Sequence, residues 1–157
     1  STFSLRLAAM NQSPPAPMPA GLLPLYPYWD GKRGTRKMPQ RADIDPLELV
    51  PYLPRLMIVD VVDDERRYVY RLVGTEEVRA RGRDPTGHPV GEAFIGSSRE
   101  KVFSNYDRVL MTGRPYVDTG PVVTIDDKLD DSHVIFLPIS EDDRKVSQIL
   151  VYTVFEH

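Results

Sequence analysis

The chain has 157 residues, 41% of them hydrophobic, and a formal net charge of −3, which suits one compact domain and gives no overall electrostatic reason to seek polyanions. It contains no Cys, so disulfides, zinc ribbons, iron–sulfur ligation and thiol catalysis are excluded, and a reducing, cytoplasmic setting is expected. No apolar run, Leu56 to Val59 included, approaches the about 20 residues of a membrane-spanning helix, and the N-terminus lacks the apolar stretch of a secretory leader.

Residues 1–21 are read as an extended arm, because Pro14, Pro15, Pro17 and Pro19 remove backbone donors and forbid a continuous helix. The domain proper is expected over residues 22–157. Its first stretch, Leu22 to Trp29, is apolar and holds the single Trp, so it should lie against the domain or a second subunit, with a helical turn or two. Asp45-Pro46-Leu47-Glu48 places a capping Asp, a Pro and a Glu as a helix start does, while Pro51 and Pro54 keep that helix short.

Leu56 to Val62 and Arg67 to Val73 are rich in β-branched and aromatic residues and flank a charged turn, the pattern of a β-hairpin. Thr75 can cap a short helix to Arg81, which Gly82 stops, and residues 82–96 read as an irregular crossing segment. A longer helix follows from Ser97 to Thr112, with Ser97 and Glu100 as a capping box. Strands are then expected at Tyr116 to Ile125, Ser132 to Ile139 and Val146 to Phe155, with acidic turns at Asp126 to Asp131 and Glu141 to Asp143. In the last strand Val151, Thr153 and Phe155 alternate with Leu150, Tyr152 and Val154, so both faces are partly apolar. The order implies an α+β domain, an antiparallel sheet with its helices on one face.

That order, together with Tyr28-Trp29, Arg41-Ala42-Asp43-Ile44-Asp45-Pro46, Leu53-Pro54, Tyr70 to Thr75, Gly82 to Gly87 and Leu137-Pro138-Ile139-Ser140, resembles the PAS fold, and in particular a group of stand-alone, uncharacterised bacterial PAS-like proteins. The resemblance implies a five-stranded antiparallel sheet with a helical crossover over a small cavity. It further implies a sensory or signalling module that binds a small molecule or a protein partner and often dimerises. Flavin photosensors of this fold need a Cys beside the flavin, and this sequence has none. Haem-binding members use an axial His near the crossover; His88 falls only loosely there, in a Gly- and Pro-rich turn, and haem is not expected.

Other chemistry finds little support. His88, His133 and His157 have no ligand spacing, so no metal is predicted. A single glycine at Gly74-Thr75 cannot build a phosphate cradle, and no Gly-x-Ser-x-Gly elbow occurs, so no catalytic residue is assigned. Lys32, Arg33, Arg36, Lys37 and Arg41 form the one basic cluster, readable as a phosphate or nucleic-acid contact or, with more weight, as a solvated or acid-paired loop. Tyr70, Phe103, Tyr106 and Phe136 are candidates to line a ligand cavity, with ordinary core packing as the plainer role. Arg71 and Arg79 are candidates too: an Arg facing the interior would need an acidic partner and would suit a small acidic ligand. The reading is therefore a non-enzymatic sensory or signalling module. It is expected to be a homodimer through Leu22 to Trp29 and an exposed sheet face, with a nucleic-acid or phosphate-binding regulator as the alternative.

Overall fold

The computed structural model describes residues 20–22, 24–95, 98–123 and 129–156. The expected Pro-rich arm as far as residue 19, Ser97, Thr124 and Ile125, the turn residues 126–128 and His157 lie outside the described residues.

Five strands form one antiparallel sheet: β1 (Leu56–Val61), β2 (Tyr68–Val73), β3 (Tyr116–Val123), β4 (Leu129–Ile139) and β5 (Gln148–Glu156). Their spatial order is β2-β1-β5-β4-β3. The β1–β2 hairpin and the three-stranded β3–β4–β5 meander, from the two ends of the domain, meet where β1 pairs with β5, Leu56 opposite Tyr152 and Val59 opposite Ile149. Helices α2 (Thr75–Arg81), α3 (Val90–Ala93) and α4 (Arg99–Thr112) cross one face of this sheet between β2 and β3. The α+β expectation and the five-stranded antiparallel sheet with its helical crossover are both met.

The differences from the sequence reading have local causes. The helix expected at Asp45 is a turn followed by a 3-10 helix at Val50–Arg55. Pro51 and Pro54 lack amide donors, and the amides before them reach only three residues back, Glu48 to the Asp45 carbonyl at 3.0 Å and Leu49 to that of Pro46 at 3.2 Å. Helix α4 is capped by Ser98, whose hydroxyl accepts from the Lys101 amide at 3.1 Å and whose backbone is extended. Strand β4 begins at Leu129, so Asp130 and Asp131, expected in a turn, instead pair with Val122 and Pro121. Within the crossing segment Val90–Ala93 forms the single helical turn α3.

Both faces of the sheet are covered, and the apolar alternation of β5 has its explanation there. On the face away from the crossover lie Ala20–Leu22 and helix α1 (Leu25–Arg33), where Leu22, Leu25 and Trp29 are fully buried. Gly21 sits close against Val154, and Tyr52 meets Tyr152 edge-on with ring centroids 6.0 Å apart. The Trp29 indole N–H donates to the Pro138 carbonyl at 2.8 Å. Strand β3 begins opposite Phe136, so Pro138 lies beyond its end and the indole serves a carbonyl that β3 does not reach. The described residues of Leu22 to Trp29 are thus helical in large part, with Leu22, Leu25 and Trp29 buried in the chain's own core.

The covering segment is fastened again further on. The Asp143 carboxylate accepts from the amides of Lys37 and Met38 at 3.1 and 2.9 Å, and the Ser140 amide donates to the Pro39 carbonyl at 3.0 Å. Asp142 organises the β4–β5 turn itself, accepting from the Arg144 and Lys145 amides at 2.9 and 2.8 Å and from the Ser140 hydroxyl at 3.0 Å. Those donors, the backbone amides first, hold the Asp142 carboxyl down at about 2.

Trp29→Ala removes a fully buried indole and its hydrogen bond and is expected to destabilise the fold by about 3–5 kcal/mol, measured by urea denaturation. The depressed Asp142 pKa makes its contribution complete above the ordinary carboxylate range and lost as pH falls through about 2. Asp142→Asn should therefore melt below the native chain at neutral pH. That gap should close between about pH 4 and about pH 2 in stepped thermal melts.

Candidate functional site

Between the crossover and the sheet lies a cavity of about 220 Å³. Its floor is Met57, Tyr70, Phe136, Val134 and Val151, on strands β1, β2, β4 and β5. Its roof is Glu77 and Arg81 from α2, Phe94 and Ile95 after α3, and Val102, Asn105 and Tyr106 from α4. Local geometry sets these directions: Glu77, Ala80 and Arg81 stand at i, i+3 and i+4 and share one face of α2.

At the α2 end a salt bridge is sealed from water. The Arg81 Nη1 lies 2.8 Å from Glu77 Oε2, with side-chain exposures of 5% and 1%. Every N–H of the guanidinium is used. Nε donates to the Ala93 carbonyl at 2.7 Å, and Nη1 donates to the Glu77 carboxylate and to its carbonyl at 3.0 Å. Nη2 reaches the Tyr70 hydroxyl at 3.0 Å and Met57 Sδ at 3.6 Å, which exhausts the five donors an Arg possesses. The guanidinium also lies 5.1 Å from the centre of the Tyr70 ring.

Glu77 is less fully served, since its Oε1 is buried without any hydrogen-bond partner. Burial opposes the charge of Arg81, yet Tyr70 and Glu77 outweigh it and hold its pKa above the ordinary value. Burial also raises the Tyr70 hydroxyl, and raises that of Tyr106 well above the ordinary range, so both are neutral phenols in use.

The far end of the cavity is polar and wetter. Asp118 on β3 accepts from Asn105 Nδ2 at 2.8 Å and lies 3.8 Å from the Lys101 ammonium, whose side chain is about half exposed at 48%. Ser132 donates its hydroxyl proton to the Gly120 carbonyl at 3.2 Å.

Three of the six expected cavity residues, Tyr70, Tyr106 and Phe136, meet here. Phe103 does not: it lies on another side of α4 among Tyr68, Arg67 and Arg99, with the Tyr68 ring 5.7 Å away. Arg71 also faces away and pairs with Asp60 at 3.1 Å. Successive strand residues point to opposite faces, so Tyr70 and Arg71 cannot both face the cavity, and the β1–β2 register shift leaves Arg71 with no residue directly opposite it in the β1 backbone register. Arg79 is 82% exposed and lies 3.9 Å from Glu76. The inward Arg is Arg81, two residues on, and the sequence signal for it was Glu77 four residues earlier on the same helical face.

Elsewhere, the basic cluster is largely engaged by acids. Lys32 pairs with Glu48 at 2.9 Å, Arg33 with Asp30 at 2.7 Å, and Arg36 with Asp43. Arg33 is buried against Trp29, whereas Arg41 is exposed and its amide donates to Glu141. His88 is exposed in its turn and is no part of the cavity wall; the His133 Nδ1 lies 3.1 Å from the Thr119 hydroxyl. Among the described residues no three His, Asp or Glu groups converge on a metal position, and no helix is long and apolar enough to cross a membrane.

A sheet in this order, bridged by a helical crossover that encloses a cavity, defines an α+β sheet-and-crossover domain. The sequence profile of the PAS domain family matches residues 19–153, and the chain belongs to that family. No protein of curated function matches the sequence.

Solved structures share the fold at low identity. A light-oxygen-voltage domain studied with a flavin analogue is 10% identical with a TM-score of 0.56, over 71% of this chain and 83% of its own. The Rhodobacter sphaeroides LOV protein is 15% identical with a TM-score of 0.52, over 69% and 66%. The Vibrio cholera VqmA–ligand–DNA complex is 12% identical with a TM-score of 0.56, over 69% of this chain and 49% of that one, so the chain spans about half of that neighbour. A flavin of the thiol-adduct kind does not fit this chain: it has no Cys, and the cavity of about 220 Å³ is below the ~300–1,000 Å³ usual for cofactor-sized ligands.

Arg81→Met leaves the Glu77 carboxylate buried and unpaired and is expected to cost about 3–5 kcal/mol in chemical denaturation. Adding Glu77→Leu to that variant removes the stranded charge and should recover a substantial part of the loss.

Proposed function

We propose that this PAS domain is a non-enzymatic sensory or signalling module, acting in the cytoplasm, whose cavity between crossover and sheet takes a small molecule. Homodimerisation and a signalling protein partner belong to the same proposal. The observation that carries it is the cavity wall: an apolar floor with a small number of placed polar groups, Asn105, Asp118 and Ser132 among them, and the buried Glu77–Arg81 pair at one end. Core packing alone gains nothing from polar side chains set around a void, whereas a ligand site uses such groups for orientation.

The polar groups of the wall are arranged for binding: the Ser132 hydroxyl is turned to a backbone carbonyl and no base, and both phenols are held neutral. The alternative, a phosphate- or nucleic-acid-binding regulator acting through Lys32 to Arg41, has less behind it. Lys32, Arg33 and Arg36 already have carboxylate partners.

Native mass spectrometry of freshly purified protein tests the reading and reports subunit count in the same spectrum. A small-molecule adduct that denaturation releases is the expected result. A chain that stays at its bare mass, and takes up no member of a small-molecule library in the same spectrometer, would sink it.

A further inference from the structure

Three buried side chains of the cavity wall carry hydrogen-bonding capacity that the protein leaves unused. The hydroxyls of Tyr106 and Thr153, residues only 3% and 4% exposed, have no partner among the described residues. Asn105 spends one amide N–H on Asp118 at 2.8 Å and keeps its carbonyl oxygen and its second N–H. Among the described residues Glu77 Oε1 is the one unpartnered side-chain atom shut off from all open space. The unpartnered groups of Tyr106, Thr153 and Asn105 therefore border open space, and the space these residues line is the cavity.

The sheet register spreads them along it. Asp118, Val134 and Thr153 stand side by side across β3, β4 and β5, with Asn105 held over the Asp118 end. Phe136 and Val151 form the next row on this face, about 7 Å along the strands, and the Tyr106 ring meets Phe136 there edge-on, with centroids 5.2 Å apart.

The charged groups of the wall have nothing equivalent to offer. The five N–H groups of Arg81 go to Ala93, Glu77, Tyr70 and Met57. Glu77 Oε2 is held by Arg81 and Oε1 is sealed away, while Asp118 is offset by Lys101 at the wetter end. A charged ligand would give up its hydration here and find no unmatched counter-charge. The hydroxyls and the amide, by contrast, both donate and accept. Burial holds the Tyr106 phenol well above its ordinary range, so it keeps the proton it would donate.

We propose that the cavity receives a small uncharged molecule, an apolar body bearing hydroxyl, carbonyl or amide groups, which exchanges hydrogen bonds with Tyr106, Thr153 and Asn105. The inference rests on the reading of this cavity as a ligand site and names the ligand's chemistry. It replaces the acidic ligand expected of an inward Arg, because the Arg that does face inward has no hydrogen left to give.

Five probes of similar size discriminate: benzamide and benzyl alcohol as neutral polar molecules, benzoate as an anion, benzamidine as a cation and toluene as an apolar body, each titrated against the full chain by calorimetry and thermal shift. A neutral polar probe is expected to bind about tenfold tighter than the other three, the value of one or two hydrogen bonds. Tyr106→Phe and Thr153→Val each delete a hydroxyl and keep the side chain's outline. Because neither hydroxyl has a partner in the free protein, neither change should lower the melting temperature of the ligand-free chain. Together they should weaken the neutral probes about tenfold and leave toluene bound as before. Each single variant supplies the same reading if the pair folds poorly.

Benzoate, benzamidine or toluene binding as tightly as the neutral polar probes overturns the ligand inference and leaves the cavity reading standing. So does a neutral preference unchanged by both substitutions, or a ligand-free melting temperature that either one lowers by several degrees, the sign of a protein partner for that hydroxyl. Failure of all five probes overturns both.

Discussion

A carboxylate and a guanidinium taken out of water must find their partners inside the protein, and the crossover is arranged around that demand. Arg81 sits on α2, yet three of its donors end on the last carbonyl of α3, the phenol on β2 and the thioether on β1. One side chain therefore pins the roof of the cavity to its floor. The attraction within such a pair is offset by the cost of drying it, so the pair by itself adds little stability. What it fixes is position, since any other placement of α2 would leave several polar groups unmet.

The same accounting organises the reverse face of the sheet. Pro138 has a carbonyl beyond the reach of β3, and Trp29 supplies the missing donor while its ring fills the space beneath α1. Asp143 does the equivalent for the amides of Lys37 and Met38. Gly74, at the junction of β2 and α2, holds the cover close on this side: a Cβ there would lie 2.0 Å from the Leu53 carbonyl oxygen. Side chain and backbone thus interlock on both faces of a sheet that its own strands do not complete.

The strands and the long helix were legible in the sequence because they depend on short-range pattern: β-branched runs, charged turns and a Ser ahead of a 3.6-residue apolar repeat. The resemblance to PAS proteins added the topology, which no periodicity contains. What the sequence could not settle was direction. Arg71, Arg79 and Arg81 are chemically alike, and the choice among them depended on strand alternation after Tyr70 and on which face of α2 met the sheet. Phe103 and Tyr106 are three residues apart on one helix, yet only the second reaches the cavity. The Leu22 to Trp29 segment carried the right composition for packing, but composition does not say against what.

Strand β5 is shared by two environments: Val151 and Thr153 belong to the cavity, while on the other face Tyr152 meets Tyr52 of the 3-10 helix and Val154 meets the N-terminal cover. Its neighbour β4 carries Phe136 on one side and, two residues along, the carbonyl that holds Trp29 on the other. The chain's sole indole is thereby stationed behind the cavity floor, out of contact with whatever fills it. Its emission offers an intrinsic optical gauge of how far an event on one side of the sheet is transmitted through it to the other.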